Sequence, residues 1–416
     1  MTVLASSSEI VATGRRPGLL WSEYGFLLAA AIAVVITLGS LESDILTREA
    51  AIRHLMLMIL VPAFVLTLTG RAMRTPVWQR TRRTSRVLRA AWPILGLGVL
   101  IVVGSLYARF VNDIQNTFLV VGLYMLTTAC AALMVLQTDA PESLLRGYFR
   151  ILLLTATVMG ITLIINFRVR QVYHEQIFLV IPMAVLFFAR TNRSFVDWTA
   201  CAFFLSMAVF SQKYTSYLIG AIAVAYMAVA VAYPRLTTPS KLHRVTIAYW
   251  FCVLTIVVAA LAYVTLRGSA ALPSGNLEYR LHTYAAAWDR FTASPWWGNL
   301  FTGEAAEKFT LYDIGIARNV LPTHSDVLDL LANGGIIAGA LWAIGLASAA
   351  RMSWRKVLCP KFLDDPCARY GHALAVMSIA AVVTYAFNPI LLQPAMAFLV
   401  WCNLGMLLGL SLRDDR

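Results

Sequence analysis

The chain has 416 residues, 59% of them hydrophobic and only 13% charged, with a net charge of +13. A soluble domain of this size carries roughly 25% charged residues, so the composition belongs to the membrane class and not to soluble globular proteins. A charge of +13 suggests nucleic acid in a soluble protein. Here the basic residues cluster in alternate polar segments between apolar runs, as the positive-inside rule requires, so no nucleic-acid partner is expected.

Residues 1–18 are small and polar, with Arg15 and Arg16 just before the first apolar run, which reads as a cytoplasmic tail entering an uncleaved span. Runs long enough to cross ~30 Å of hydrocarbon lie near 24–41, 54–70, 91–107, 117–137, 151–166, 172–189, 195–212, 216–233, 245–265, 326–350, 370–388 and 392–411. The expected architecture is therefore all-α: a polytopic bundle of about 12 membrane helices over 19–412, with both termini, including 413–416, in the cytoplasm. The run 172–189 is polar at its start and carries Pro182, so it fits a re-entrant segment as well as a span.

This topology places most of the 34 lysines and arginines on the cytoplasmic side. Removing one span would move the basic segment 351–369 outside. The arginines of 71–89 have no acid among them and suit anionic headgroups, at about 1 kcal/mol per charge. An orientation signal suffices to explain them. Directly after the first run, Glu42-Ser43-Asp44 stands where an acidic pair could hold a divalent cation through oxygen ligands, or simply be a solvated turn. Glu23 and Asp197 fall near span ends, within reach of solvent. The six cysteines give neither a disulfide framework nor zinc spacing.

One long connection, 266–325, lies on the outer side. Its Gly268, Pro273, Gly275, Pro295, Gly298, Gly303 and Pro322 predict irregular backbone with short helices. It mixes cations (Arg280, Arg290, Lys308, Arg318) with aromatics (Tyr284, Trp288, Trp296, Trp297). Cations suit an anionic group such as a diphosphate. The tryptophans suit either sugar rings or an interfacial belt.

At the end of this loop His324 precedes Ser325-Asp326, with Thr323 or Ser325 able to cap the next helix and Asp326 and Asp329 in its first turn. An imidazole with an ordinary pKa of ~6.5 can take a proton from an attacking hydroxyl. A histidine at a span mouth also has a plain structural reading. The cluster Gly334, Gly335 and Gly339 is sufficiently explained by close helix approach.

The stretch THSDVLDLLANGGIIAGALW resembles the histidine-plus-small-polar motif, with its leucine and paired-glycine positions, of the O-antigen ligase and O-antigen (exopolysaccharide) polymerase family. Upstream, YRLHTYAAAWDRFTASPWWGNLFTG is similar to that family's loop pattern, matching at Arg280, Trp288, Phe291, Pro295, Gly298 and Gly303. The likeness covers roughly 195–345 and the span layout. It implies a GT-C-like, metal-independent, inverting glycosyltransferase of a bacterial inner membrane, with no cofactor. The implied donor is a polyprenyl-diphosphate-linked glycan and the implied acceptor a hydroxyl of a second glycan or of lipid A-core. By the same likeness His324 and Arg280 are catalytic, and Arg280 with Lys213 binds the diphosphate. The family usually has arginine where Lys213 stands, and lysine lacks the bidentate fork.

Two alternatives remain at this level. One is a transporter or flippase of a polysaccharide precursor, which the absence of any internal repeat and the sparse charge between 91 and 166 disfavour. The other is a metal-dependent GT-C enzyme using Glu42 and Asp44.

Overall fold

The computed structural model describes residues 21–39, 77–113, 118–169, 172–173, 175–190, 192–232, 276–303, 325–357, 365–391 and 393–413. Among them the structure is helical without strands: α1 Trp21–Gly39, α2 Val77–Phe110, α3 Phe118–Met125, α4 Thr127–Gln137, α5 Pro141–Ile165, α6 Ile177–Val180, α7 Met183–Phe188, α8 Phe195–Phe210, α9 Tyr214–Ala232, α10 Asn276–Ala293, α11 Asp326–Val357, α12 Ala368–Phe387 and α13 Pro394–Leu412. Among the described residues five helical stretches are long and apolar enough to cross a membrane: Thr81–Phe110, Pro141–Ile165, Asp326–Val357, Ala368–Phe387 and Ala395–Leu412. Shorter apolar stretches are Glu23–Gly39, Val121–Gln137, Ile177–Phe188, Phe195–Phe210 and Tyr214–Ala230. The other two expected runs, 54–70 and 245–265, lie outside the described residues, as do the two tails 1–18 and 414–416.

Local chemistry sets several helix ends. Pro141 and Pro394 open α5 and α13 in the first turn, where a missing N–H costs nothing. Ser194 and Asp197 form a reciprocal capping box at the start of α8. Asp197 is not solvated as its position near a span end suggested: it is 3% exposed and pairs with Arg190 at 2.5 Å.

Helix α13 runs through the centre and packs most extensively on α4. A Cβ at Gly405 would stand 2.4 Å from the carbonyl oxygen of Thr128, and one at Gly409 2.6 Å from that of Ala132. Small residues four apart bring the two backbones together, as is usual where helices associate without a hydrophobic drive. Helices α6 and α7 meet at Ile181–Pro182, and all their residues except Phe188 are buried. From Ile177 to Phe188 they rise about 18 Å, short of the hydrocarbon thickness. A broken helix is tolerated at that depth when protein surrounds it.

Polar contacts join the helix ends in two groups. At one end Arg86 donates to the carbonyl of Leu412 at 2.7 Å, Arg413 to those of Val135 and Thr138 at 3.1 Å, and Arg369 to the hydroxyl of Tyr370 at 2.6 Å. At the other end Tyr173 donates to Leu38 at 2.7 Å, Asn112 to Thr302 at 3.0 Å and Arg280 to Phe387 at 3.2 Å.

At this second end, residues 294–303 are strapped onto a break in α11. Gly335 has φ 62° and ψ −162°, a region essentially closed to other residues. The two N–H groups beyond it are released from the helix and donate instead to the loop: Ile336 to Pro295 at 2.8 Å and Ile337 to Trp296 at 3.1 Å. In return Asn299 and Phe301 donate to the carbonyl of Asn333, each at 3.2 Å. The glycine pair therefore serves a loop-to-helix contact, where the sequence had suggested only helix packing. Phe301, fully buried, fills the space against Gly334 and meets the ring of Phe118 edge-on at 5.2 Å. This strap fixes α10 relative to the start of α11, and these two helices frame the candidate site.

Candidate functional site

Arg280 lies in the second turn of α10, partly buried. One of its nitrogens donates to the carbonyl of Phe387 at 3.2 Å, at the last turn of α12. Such terminal carbonyls have no helical partner and carry the negative end of the helix dipole, so a guanidinium is well placed there. One turn on, Tyr284 is hydrogen-bonded to the same guanidinium. Burial raises the Tyr284 phenol and Arg280 opposes that rise.

Lys213 sits in the tight turn between α8 and α9. Gln212 before it adopts a left-handed φ of 54°, and the Lys213 carbonyl accepts from the N–H groups of Ser216 and Tyr217 at the start of α9. Ser211 and Ser216 close the turn with a 2.7 Å hydroxyl pair. Desolvation and then the positive charge of Arg280 push the Lys213 amine below its ordinary value, while Glu175 pulls it back up. Two expected site residues, separated in sequence by most of two helices, thus lie within each other's electrostatic reach.

Sequence reasoning missed the residue between them. Glu175, in the turn before α6, is 3% exposed and accepts from the side-chain amide of Gln393 at 2.5 Å. Burial raises its carboxyl, and the Gln393 hydrogen bond, Arg280 and Lys213 draw it down again. The available signal was the polar start of the run 172–189: a lone carboxylate opening an otherwise apolar segment.

The start of α11 completes the cluster. Ser325 caps it, its hydroxyl accepting from Leu328 at 3.3 Å, as expected for one of the two candidate caps. Asp326 and Asp329 are buried, at 6% and 5% exposure, so they are not merely solvated first-turn acids. Asp326 turns away from its own helix and accepts from the N–H of Leu391 at 2.9 Å, with Ile390 as a second donor, tying α11 to the α12–α13 turn. His324, which immediately precedes Ser325 in sequence, lies outside the described residues, as do Glu42 and Asp44.

Of the loop aromatics Tyr284 joins the cluster and the tryptophans do not. Trp288, Trp296 and Trp297 are 53%, 62% and 54% exposed. Such exposure suits both a sugar face and an interfacial belt. A polar pocket of about 240 Å³ does open next to Lys213. It is lined by Asn166, Arg168, Ser211 and Gln212 over an apolar floor of Leu163, Val172 and Phe210. Arg168, at φ 66°, lays its guanidinium over the ring of Phe167 at 5.3 Å, so two strained turns shape the pocket rim.

No protein-family model and no curated protein matches the chain. Chemically, the arrangement offers a partly desolvated pair of cations, one guanidinium and one ammonium, with a buried carboxylate beside them and a polar pocket adjoining. Such a pair repels itself until an anion arrives, and low local dielectric strengthens its grip on that anion.

Proposed function

We propose that the chain transfers a glycan from a polyprenyl-diphosphate carrier to an acceptor hydroxyl at the outer face of a bacterial inner membrane, as an inverting enzyme that needs no metal. The observation that carries this reading is that Lys213 and Arg280, both half-buried, lie within electrostatic reach of each other. Behind it stands a GT-C-like bundle of about 12 spans with both termini in the cytoplasm.

The donor's diphosphate seats between the two cations at headgroup level, its prenyl chain entering from the side of the bundle. The first sugar extends toward the pocket at Asn166, Arg168 and Gln212. Each charge-assisted hydrogen bond to the departing diphosphate contributes about 1.5–3 kcal/mol, and preorganised donors aimed at developing charge count for more. Cations therefore take the place of a general acid at the leaving group. His324 removes the proton from the acceptor hydroxyl, which attacks the anomeric carbon from the opposite face and inverts it. The acceptor is a second lipid-linked glycan or lipid A-core.

The test uses purified protein in nanodiscs with a labelled lipid-linked oligosaccharide and an acceptor, in chelator and without any ion gradient. Appearance of an elongated or transferred glycan supports the reading, with loss of product in Arg280→Ala and in His324→Ala. Gradient-dependent movement of intact donor without new glycosidic bonds would establish a transporter instead.

A further inference from the structure

The cluster has an unbalanced charge once a donor is bound. Glu175 is bonded to Gln393, just before α13, and lies within electrostatic reach of Arg280 from α10, Lys213 from the α8–α9 turn and Asp326 from α11; Tyr284 faces Arg280, and Asp329 lies within reach of Asp326 and Tyr284. Asp326 is held by the backbone donors of the α12–α13 turn. In the empty site Glu175 offsets one of the two cations. A diphosphate diester brings two negative charges and diverts both cations to its own oxygens. Glu175, at 3% exposure, is then left beside an anion with little water to screen it, and an uncompensated buried charge is costly.

The geometry holds a specific means of relief. The Gln393 amide nitrogen already donates to one oxygen of Glu175. The amide oxygen of Gln393 is buried and has no hydrogen-bond partner, although buried acceptors are rarely left so. A proton on Glu175 supplies the missing donor: the acid O–H reaches the amide oxygen while the amide N–H keeps its bond to the acid carbonyl. A carboxylic acid and a primary amide pair in this two-bond ring, and a carboxylate cannot complete it.

We propose that Glu175 takes up one proton from solvent as the two phosphates engage Lys213 and Arg280, closing a second hydrogen bond with Gln393, and releases it when the diphosphate leaves. This rests on the glycosyl-transfer reading above. Its consequence is that donor binding is proton-coupled: the site holds a carrier diphosphate more tightly as the outer pH falls. Glu175 acts here as a positioning residue that resets the charge of the site between its empty and loaded states.

The probe is farnesyl methyl diphosphate, a diester whose phosphates have no proton to gain or lose near neutrality. Its binding to the full chain in nanodiscs is followed by titration calorimetry in two buffers of different ionisation heat. Across a pH series wild type is expected to take up a proton as the ligand binds, with affinity rising by up to about tenfold per unit of acidification where it does so. Glu175→Gln abolishes both effects, Glu175→Asp retains uptake, and Gln393→Leu lowers it by removing the acceptor. Binding without proton uptake in wild type overturns the inference and leaves the transfer reading standing. Undiminished uptake in Glu175→Gln, or in Gln393→Leu should the first variant not fold, assigns the proton elsewhere and overturns it equally. Failure of the diester to bind at any pH overturns both.

Discussion

The guanidinium of Arg280 donates to the carbonyl of Phe387 at 3.2 Å, so a cation from α10 is held by the C-terminal end of α12. With Tyr284 on its other side, the fork uses its geometry as well as its charge. Lysine keeps the charge as a single point and cannot serve both partners and a phosphate at once. Arg280→Lys is therefore expected to cut the transfer rate by about 10- to 100-fold, in keeping with the loss of one or two charge-assisted hydrogen bonds. Arg280→Ala is expected to leave no measurable transfer. Equal rates for Arg280→Lys and wild type would show that the fork geometry is not used.

Lys213 stands where the resembling family usually carries arginine, and its amine is held below the ordinary lysine range by burial and by Arg280. A lowered cation loses its charge earlier as pH rises, so donor affinity should fall on the alkaline side before an ordinary lysine would titrate. Arginine stays protonated throughout. In a Glu175→Gln background, which removes the other titrating group, Lys213→Arg is expected to abolish this alkaline fall and Lys213→Ala to weaken binding at every pH. Affinity measured from pH 7 to 10 decides it, and an identical alkaline fall in the arginine variant would exclude Lys213 as its source.

The pocket beside Lys213 has a polar wall and an apolar floor, the combination that suits a sugar ring. Arg168→Ala and Gln212→Ala should raise the KM for a lipid-linked glycan several-fold with kcat little changed, since they touch parts of the donor remote from the breaking bond. The same variants should bind the sugar-free diester as wild type does. Weakened binding of the diester would place these residues in the phosphate site instead.

Asp326 accepts from the N–H of Leu391 at 2.9 Å while lying in the first turn of α11. Its carboxylate links the helix that follows His324 to the turn that carries Gln393. Asp326→Ala leaves the buried N–H of Leu391 without its acceptor, at a cost of about 1–3 kcal/mol. The expected result is a lower unfolding midpoint in detergent together with reduced transfer. A midpoint equal to wild type would mean that the link carries no stability.

How much of this was legible in the sequence depends on the range of the signal. Apolar runs are local patterns, and they predicted an all-helical chain with helices able to cross a membrane. Arg280 and Lys213 were found by motif and by position in an outer turn. Glu175 and Gln393 were not, because their meaning arises only when segments far apart in sequence pack together. A single carboxylate in a short turn and an amide before a proline look like ordinary loop residues. Asp326 was read as a helix-dipole acid, since nothing local reveals that it reaches across to Leu391. The paired glycines were seen, but their purpose needed the observed backbone: helix periodicity does not announce a residue at φ 62°.

Gly335 allows the sharpest structural test. Its backbone conformation costs any other residue about 1–3 kcal/mol. A Cβ there would also stand 2.4 Å from the backbone nitrogen of Trp297, which cannot yield without tearing the loop from the helix. Gly335→Ala is expected to undo the strap that fixes α10, and with it Arg280, against the start of α11. Transfer should be lost and the unfolding midpoint lowered, even though no atom of Gly335 belongs to the cation site. Gly339→Ala is the comparison: its helical backbone accepts a side chain, and the nearest obstacle is the flexible end of Leu331. That variant should retain its midpoint within about 1 kcal/mol of wild-type stability. If the two alanine variants behave alike, the glycine pair serves helix packing alone and the loop is not held by the break in α11.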